Sequence, residues 1–199
     1  MGNHSRTLKE YGLFIRQFLI NPTGIGAIAP SSEQLARQMV HPIDWENVNI
    51  VVEYGPGTGI FTGEILKRLP SQARYIGFET NPAMHDIVSH KYPDADIHQD
   101  SVANVRRYLG TNGTGSVDAI ISGLPWASFS KTLQRDLLEE TYAILKPGGL
   151  FVTFAYLQGL LLPAGLRFNK ALKSSFQSLQ YSPVVWMNMP PALAYYCRK

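Results

Sequence analysis

The sequence predicts an α/β domain with a mostly parallel, seven-stranded sheet, helices on both faces and an antiparallel hairpin at its C-terminal end. Three observations support this fold class. From residue 48 onward, short apolar runs alternate with helical patterns, and this order places parallel strands between covering helices. A glycine-rich turn directly follows the first of these strands. Two β-rich runs follow the last helical pattern and predict the closing hairpin.

The composition describes one globular domain of 199 residues, with 45% hydrophobic and 17% charged residues. Its net charge of +3 permits an anionic partner without requiring one. The single cysteine, Cys197, excludes an intramolecular disulfide and a cysteine metal cluster. The five histidines show no ligand spacing with acids, so we expect no metal. We expect no export signal, and the apolar run 148–166 is not predicted to span a membrane because it contains Gln158 and Pro163.

The first two elements are predicted to be helices. Residues 5–20 place their apolar side chains on one stripe, and Asn21-Pro22 ends that pattern. A loop follows over 23–30. Ser31 or Ser32 is expected to cap a short helix that continues to about Val40, and Ser31 with Gln34 fits a capping box.

The remaining elements follow in alternation. Asn81 is expected to cap a helix that has Pro82 at its first position. The strands are predicted at about 48–54, 74–79, 96–98, 117–122 and 150–156, with the hairpin runs at 183–187 and 193–197. The helices between them are predicted at about 60–69, from 82 onward, at 131–145 and at 166–176.

The turn Glu53–Gly59 is the most informative motif, because a strand, a glycine-rich turn and a helix form a nucleotide-binding crevice. A dinucleotide pyrophosphate loop has glycines at its first, third and sixth positions, whereas Gly55, Gly57 and Gly59 occupy the first, third and fifth. The carboxylate of Glu53 repels a pyrophosphate, but it can hold an ammonium group through water or backbone. This pattern favours S-adenosylmethionine, which joins a nucleoside to an amino acid.

Three further candidates lie at the carboxyl ends of predicted strands, where open α/β sheets bind ligands. Glu79, 20 residues after Gly59, is placed to accept both hydroxyls of a ribose. Asp100 or a neighbouring amide is a candidate for the adenine amino group. The segment Ser122–Trp126 faces the crevice where a methyl group emerges. Taken singly, these features also fit a tight turn, a solvated strand end, a helix cap and a buried turn, and only their order and spacing predict one site.

Residues 48–156 resemble a class I S-adenosylmethionine-dependent methyltransferase with a Rossmann-like fold, and the closing hairpin agrees with that family. Nearly the whole chain resembles the small bacterial phospholipid N-methyltransferases, which methylate phosphatidylethanolamine towards phosphatidylcholine. The segments that support this closer resemblance are an amphipathic first helix, Gly26–Ser32, Glu53–Gly59, Glu79–Asn81 and Ser122–Trp126.

The resemblance implies a single methyltransferase domain over residues 1–199, with residues 1–22 an amphipathic helix that acts as membrane anchor and lid. It implies S-adenosylmethionine as cofactor, released as S-adenosylhomocysteine. The residues implied to bind the cofactor are Ser31, Ser32, Glu53, Gly55, Gly57, Gly59, Glu79, Thr80, Asp100, Ser101, Gly123 and Leu124. The residues implied to act on the substrate amine are Tyr11, Leu124 and Trp126.

Methyl transfer to an amine requires a neutral lone pair, because an ethanolamine head group is mostly protonated at pH 7. The candidate proton acceptors or carbonyl partners are Tyr11, Glu53, Tyr156 and the backbone of 122–124, and the sequence does not choose among them. Methylated intermediates are bulkier cations that aromatic faces stabilise by about 0.5 to 2 kcal/mol per contact. Trp126 and Phe129 are candidates for this cage, and both also fit the role of core aromatics.

Two segments are candidate membrane surfaces. The first helix carries Arg16 among other cations beside its apolar stripe, and residues 157–163 place leucines that include Leu161 before Arg167 and Lys170. Each segment also fits packing against the domain itself. The expected partners are an anionic phospholipid surface and a phosphatidylethanolamine-type lipid, with a cytoplasmic monomer at the inner face of the membrane.

Two other hypotheses remain open. A methyltransferase of this fold also serves RNA adenine N6 or a small soluble acceptor, although the chain shows neither a dense basic face nor an appended RNA-binding domain. The resemblance extends to ribosomal RNA adenine dimethyltransferases, in which an Asn stands where this chain has Ser122 or Gly123. A non-catalytic binding module is disfavoured by the intact Glu53, glycines and Glu79.

Overall fold

The computed structural model describes residues 31–110 and 115–199, which form a seven-stranded sheet in the order β3-β2-β1-β4-β5-β7-β6. β1 to β5 are parallel to one another, and β7 runs antiparallel to both of its neighbours. This arrangement confirms the predicted fold class. The strands are β1 (Ile50–Tyr54), β2 (Arg74–Phe78), β3 (Ile97–His98), β4 (Val117–Ser122), β5 (Leu145–Tyr156), β6 (Ser178–Tyr181) and β7 (Ala192–Arg198).

Helices connect the strands and cover both faces of the sheet. The α-helices are α1 (Glu33–Val40), α2 (Ile60–Leu66), α3 (Pro82–Lys91), α4 (Lys131–Ile144), α5 (Leu157–Leu160) and α6 (Pro163–Ser175), and two 3₁₀ helices cover Val102–Tyr108 and Trp126–Ser128. The predicted helix at residues 5–20 lies outside the described residues. Within the described ranges, no helix is long and apolar enough to cross a membrane.

The core consists of two apolar layers, one on each face of the sheet. One layer joins Phe151 and Ile120 of the central strands to Phe168 and Leu172 of α6. The other joins Val51 and Val152 to the buried side of α1 and α2. The central strands β1 and β4 are almost fully buried, as expected for parallel strands that helices cover from both sides.

Two helix starts follow the capping rules. Asn81 caps α3 by accepting hydrogen bonds from the backbone N–H groups of Ala83 and Met84, and Pro82 opens the helix, as predicted. For α1 the cap is Ser32, whose hydroxyl accepts from the N–H of Leu35. The capping box of Ser31 with Gln34 was therefore wrong, because the helix begins one residue later than that box requires.

The first strand of the predicted hairpin was also placed wrongly. The run 183–187 is rich in β-branched residues, but it makes only one isolated bridge, between Val185 and Ala192. The strand that pairs with β7 is Ser178–Tyr181, which is half exposed at the sheet edge. An edge strand needs little apolar character, so propensity alone misplaced it. β5 and α6 also begin earlier than predicted, at Leu145 and at Pro163.

Candidate active site

The turn after β1 is built from three glycines in the left-handed region. Gly55, Gly57 and Gly59 have φ angles of 70°, 58° and 77°, which other residues adopt only with strain. The N–H of Gly55 donates to the carbonyl of Phe78 in the neighbouring strand, at 2.9 Å. A Cβ on Gly57 would meet no atom within 4 Å, so the turn has open space above its middle glycine. This open space leaves room for a ligand against the backbone.

Glu79 follows β2 and is directed at this turn. One carboxylate oxygen accepts from the N–H of Gly57 at 3.0 Å, and the other accepts from the N–H of Asn81 at 2.9 Å. The side chain is almost fully buried. Desolvation by burial raises the pKa of Glu79, and the backbone hydrogen bonds oppose that rise. The carboxylate thus fixes the turn, and Glu79 also lines the crevice beside it.

The turn after β4 lies against the turn after β1. The N–H of Gly123 donates to the carbonyl of Tyr54 at 2.8 Å, and a Cβ on Gly123 would stand 2.7 Å from the carbonyl oxygen of Gly55. The Ser122 hydroxyl accepts from the N–H of Leu124 and from the indole N–H of Trp126. Only glycine at position 123 allows the two turns to approach this closely.

These turns form one wall of a cavity of about 330 Å³ at the carboxyl ends of the strands. The opposite wall comes from the end of β5, from the segment of α5 and α6, and from Pro190. Among the described lining residues, Glu79 is the only carboxylate, and six of the others are aromatic. These aromatic residues are Phe61, Trp126, Phe154, Tyr156, Phe168 and Tyr195. A mostly apolar cavity with few polar groups is typical of a small-molecule site.

Comparisons with known proteins agree with this geometry. Residues 51–149 match the family described as "Methyltransferase domain". The chain is 32% identical, over 194 residues, to an ornithine lipid N-methyltransferase of Singulisphaera acidiphila, and the alignment covers 96% of this chain and 97% of that protein. The chain belongs to the class I S-adenosylmethionine-dependent methyltransferases.

More distant similarities connect this methyltransferase to its superfamily. The ribosomal RNA small subunit methyltransferase A of Thermotoga neapolitana is 28% identical over 102 residues, which are 50% of this chain and 36% of that protein. The spermidine synthase structure from Thermotoga maritima superposes with a TM-score of 0.66 at 15% identity, over 85% of this chain and 60% of that longer one. A TehB-like methyltransferase from Corynebacterium glutamicum superposes with a TM-score of 0.60 at 14% identity, over 99% and 100%. The two similarities to solved structures show a common fold and no more.

The cavity residues fit S-adenosylmethionine, which is the cofactor of the family. The open space over Gly57 admits a ligand to the backbone, and Glu79 presents buried acceptor oxygens beside it. Ser31, Gly55, Gly57, Glu79, Gly123 and Leu124 all line the cavity, so the structure brings together half of the twelve residues expected to bind the cofactor.

Glu53 of the methyltransferase does not line the cavity. Its carboxyl group is fully buried under the turn, where one oxygen accepts from the hydroxyls of Thr62 at 2.7 Å and Tyr75 at 2.5 Å. The other oxygen has no hydrogen-bond partner among residues 31–110 and 115–199. Burial raises the pKa of Glu53 to about 7, although both hydroxyls lower it. Glu53 therefore supports the turn from below and joins β1 to α2 and β2.

The other predicted cofactor residues lie outside the cavity lining. Asp100 accepts from the N–H of Ser101, from the amide of Asn104 and from the hydroxyl of Tyr108, so its carboxylate closes the start of the first 3₁₀ helix. Ser101 is the cap of that helix, and Ser32 is the cap of α1. Gly59 is the N-cap of α2, and a Cβ there would collide with the ring of Tyr92. Thr80 follows Glu79 in the chain and is half-buried.

Trp126 is mainly a core residue. Its indole N–H donates to Ser122 at 2.8 Å, and its ring stacks on Phe168 with centroids 5.6 Å apart. It is 2% exposed and reaches the cavity with one edge, whereas Phe129 is buried behind it and does not line the cavity. Of the two residues expected to form the cage, Trp126 therefore lines the cavity and Phe129 does not.

The aromatic residues that do face the cavity were missed, apart from Tyr156 and Trp126. Phe154 and Tyr156 end β5, and their rings meet edge to face at 5.4 Å. A signal was available, because β5 follows the rule that ligands bind at the carboxyl ends of strands. Phe168 and Tyr195 come from α6 and β7, and no local motif marks them.

The candidate substrate and membrane residues are divided between two regions. Tyr11 and Arg16 lie outside the described residues. Leu161 is 83% exposed at the end of α5, and Arg167 and Lys170 are exposed on α6. The segment that carries these three residues borders the cavity, since Gln158, Gly159 and Leu162 line it.

Proposed function

We propose that this methyltransferase N-methylates the head-group amine of a zwitterionic membrane lipid, with phosphatidylethanolamine and its mono- and dimethyl derivatives as the acceptors. The single observation that carries the proposal is the similarity over nearly the full length of both chains to a protein named as an ornithine lipid N-methyltransferase. Phosphatidylethanolamine and ornithine lipid both place a primary amine near an anionic group. The apolar cavity beside Leu161 and Leu162, the exposed leucines that follow α5, suits such an acceptor.

The cavity supports methyl transfer mainly by orienting the amine and by removing water from it. When bound, S-adenosylmethionine supplies an activated methyl group. The apolar lining disfavours an ammonium ion and lowers the pKa of the amine, so the amine releases its proton to solvent water as it enters the cavity and binds there as a neutral nucleophile. Burial raises the pKa of Tyr156, so its phenol stays protonated at neutral pH and is not the base. Tyr156 instead offers its oxygen as a hydrogen-bond acceptor that orients the amine.

Phe154, Tyr156 and Phe168 are the residues that we propose to contact the methylated cation. Each lines the cavity, and a cation over an aromatic face gains about 0.5 to 2 kcal/mol. Successive methylation makes the cation larger and less hydrated, which increases the value of such contacts. Trp126 also lines the cavity, and its ring stacks on Phe168 and so holds that residue in the wall.

We propose that the protein acts as a monomer and binds peripherally at the cytoplasmic face of the membrane. Support comes from the exposed Leu161 and Leu162, which precede the exposed cations Arg167, Lys170 and Lys173. Apolar side chains next to cations match acyl chains next to anionic head groups. The amphipathic pattern of residues 5–20 suggests a second contact and a lid that includes Tyr11 and Arg16.

The deciding experiment supplies labelled S-adenosylmethionine to the protein with vesicles that contain phosphatidylethanolamine, ornithine lipid or phosphatidylcholine alone. Chromatography of the extracted lipids then shows which one carries the label. We expect label in phosphatidylethanolamine products. Label in ornithine lipid alone would replace the acceptor and keep the reaction class. Absence of label from every lipid would contradict the proposal.

RNA adenine is the second candidate acceptor, because half of the chain is similar to ribosomal RNA small subunit methyltransferase A. The site argues against it: the side chain of Ser122 is fully buried and bonded to Trp126 and Leu124, so it does not present an amide to an adenine amino group. Total RNA in the same assay tests this alternative directly. Label in RNA and none in lipid would favour it.

A further inference from the structure

The loop Ser182–Pro191, between β6 and β7, exposes three large apolar side chains. Trp186 is 70% exposed, Met187 is 74% exposed and Met189 is 75% exposed. Single exposed apolar residues are common on protein surfaces, but a contiguous group marks an interaction site. This loop had the composition of a strand, and neither the catalytic cavity nor the hairpin accounts for its exposed residues.

The loop is held in place by its polar residues. Asn188 is 1% exposed, its amide donates to the carbonyl of Pro190 at 2.7 Å, and its side-chain oxygen accepts from the N–H of Ser32 at 2.8 Å. The N–H of Val185 donates to the carbonyl of Ala192 at 2.8 Å. The one amide side chain of the loop is thus buried, while the apolar side chains beside it face outward. Such an inverted arrangement is typical of a surface that meets an apolar environment.

The loop borders the same cavity as residues 157–162, the segment that carries the exposed Leu161 and Leu162. Pro190 lines the cavity, and the carbonyl of Pro191 accepts from the N–H of Leu157 at 2.9 Å. Leu162, five residues after Leu157, also lines the cavity and is 52% exposed. We call the exposed apolar residues of the two segments the apolar rim: Leu161, Leu162, Leu166, Trp186, Met187 and Met189.

The charges around the apolar rim identify the chemistry of its partner. From residue 141 to residue 199 the sequence holds six Lys or Arg residues and no Asp or Glu. Residues 1–140 hold the other 12 basic residues and all 15 acidic ones. The part of the chain that carries the apolar rim is thus positive, and the remainder is negative. Three of the six cations, Arg167, Lys170 and Lys173, lie on α6, the helix that also carries Leu166 of the apolar rim. An apolar surface beside cations is complementary to an anionic lipid bilayer.

We propose that the loop Ser182–Pro191 inserts Trp186, Met187 and Met189 into the interfacial layer of an anionic phospholipid bilayer. Insertion there seats the mouth of the cavity on the bilayer, so that an amine head group reaches the site without leaving its leaflet. Tryptophan prefers the interface between head groups and acyl chains. The proposal rests on lipid being the substrate, and it adds the element that docks.

The test measures binding to vesicles of equal parts phosphatidylglycerol and phosphatidylcholine. The variant Trp186→Ser/Met187→Ser/Met189→Ser should bind at least about tenfold more weakly than the unaltered protein, because three apolar side chains no longer leave water. Ile87→Ser is the matched control, since Ile87 is 48% exposed on α3 and lies outside the apolar rim. Equal binding by the triple variant and the control would overturn the proposal.

Fluorescence locates the loop directly. The difference between the unaltered protein and Trp186→Phe isolates the signal of Trp186 from that of Trp126 and Trp45. Acyl-chain-brominated lipids should quench this signal. If Trp186 is shielded from acrylamide before vesicles are added, another part of the chain or a second copy covers the loop, and the proposal fails.

The two proposals fail separately. A triple variant that loses activity on vesicles but methylates a short-chain, monomeric aminolipid normally supports docking by the loop. Equal activity of the triple variant on both forms of lipid would contradict it. Vesicle binding that needs the loop, with no lipid methylated in either form, would retain the docking surface and reject the proposed function.

Discussion

Glu53 couples the stability of the domain to pH through a single buried carboxyl group. Its pKa is about 7 in the folded protein, against an ordinary value of 4.5. Between these values the folded state keeps a proton that the unfolded chain releases, so the contribution of Glu53 to stability is fully present below about pH 4.5 and falls as pH rises. The full loss, on the order of 3 kcal/mol, is reached above pH 7.

The variant Glu53→Gln should therefore remove much of this pH dependence. The glutamine oxygen can accept from Thr62 and Tyr75 as the carboxylate does, and it does not titrate. Urea unfolding at pH 5, 6, 7 and 8 should show that the variant loses less stability than the unaltered protein as pH rises. If the free energy of unfolding fell equally with pH in the two proteins, Glu53 would be ionised in the folded state already.

Glu79 is the residue on which cofactor affinity should depend most. An amide in place of the carboxylate puts an NH₂ group against the N–H of Gly57 or of Asn81, because both carboxylate oxygens accept backbone donors. We expect Glu79→Gln to weaken binding of S-adenosylhomocysteine at least about tenfold, measured by calorimetry. Thr80→Ala, beyond the cavity lining, is the control. Unchanged affinity in Glu79→Gln would remove Glu79 from the cofactor site.

At the scale of elements, the site depends on how closely the turns after β1 and β4 approach. A Cβ on Gly123 would stand 2.7 Å from the carbonyl oxygen of Gly55, which is backbone and cannot rotate away. Gly123→Ala should therefore lower the free energy of unfolding by about 1 to 3 kcal/mol and weaken cofactor binding. Gly159→Ala is the stability control, because a Cβ there meets nothing within 4 Å. Equal unfolding midpoints for both variants would contradict this view of the turns.

The elements also show which parts of the fold the sequence could predict. β1, β2 and β4 were predicted nearly to the residue, because buried parallel strands are continuous apolar runs with turns at their ends. The Asn81-Pro82 start of α3 was predicted because capping is local. β6 was missed because its register with β7, Tyr181 opposite Tyr195, comes from long-range pairing. The run 183–187 looked like a strand because its apolar side chains resemble those of a core.

The site was predictable where its residues directly follow a strand in the chain, and it was not predictable where long-range packing forms it. The glycine turn, Glu79 and Gly123 form one wall, and each follows a strand in the chain. The other wall combines β5, α6, β7 and Pro190, which only the folded topology brings together. Asp100 and Glu53 have the expected residue type and place, but their partners within the domain direct both away from the cavity.

At the scale of the whole molecule, the chain divides its charge between two parts. The cations Arg167, Lys170 and Lys173 lie on α6, within residues 141–199, which contain no Asp or Glu. Binding to anionic vesicles should therefore weaken as salt rises, since the screening length is about 10 Å at 0.1 M and about 3 Å at 1 M.

The variants Lys170→Ala and Lys173→Ala should each weaken vesicle binding about fivefold, because a basic residue near an anionic surface contributes about 1 kcal/mol. Lys131→Ala, an exposed lysine at the start of α4, should have little effect. Cosedimentation at 0.05 M and 0.5 M salt measures both effects. Binding that is insensitive to salt, or that is equally weakened by Lys131→Ala, would show that the charge of α6 is not used.

The position of β7 has a consequence for synthesis. It lies between β5 and β6, although it is the last strand of the chain, and residues 150–156 of β5 pair with it along their whole length. During synthesis on the ribosome, the long apolar edge of β5 therefore remains unpaired until residues 192–198 have been made. An unpaired edge of this kind recruits strands of other molecules. A nascent chain stalled before Ala192 is thus the species that most needs a chaperone.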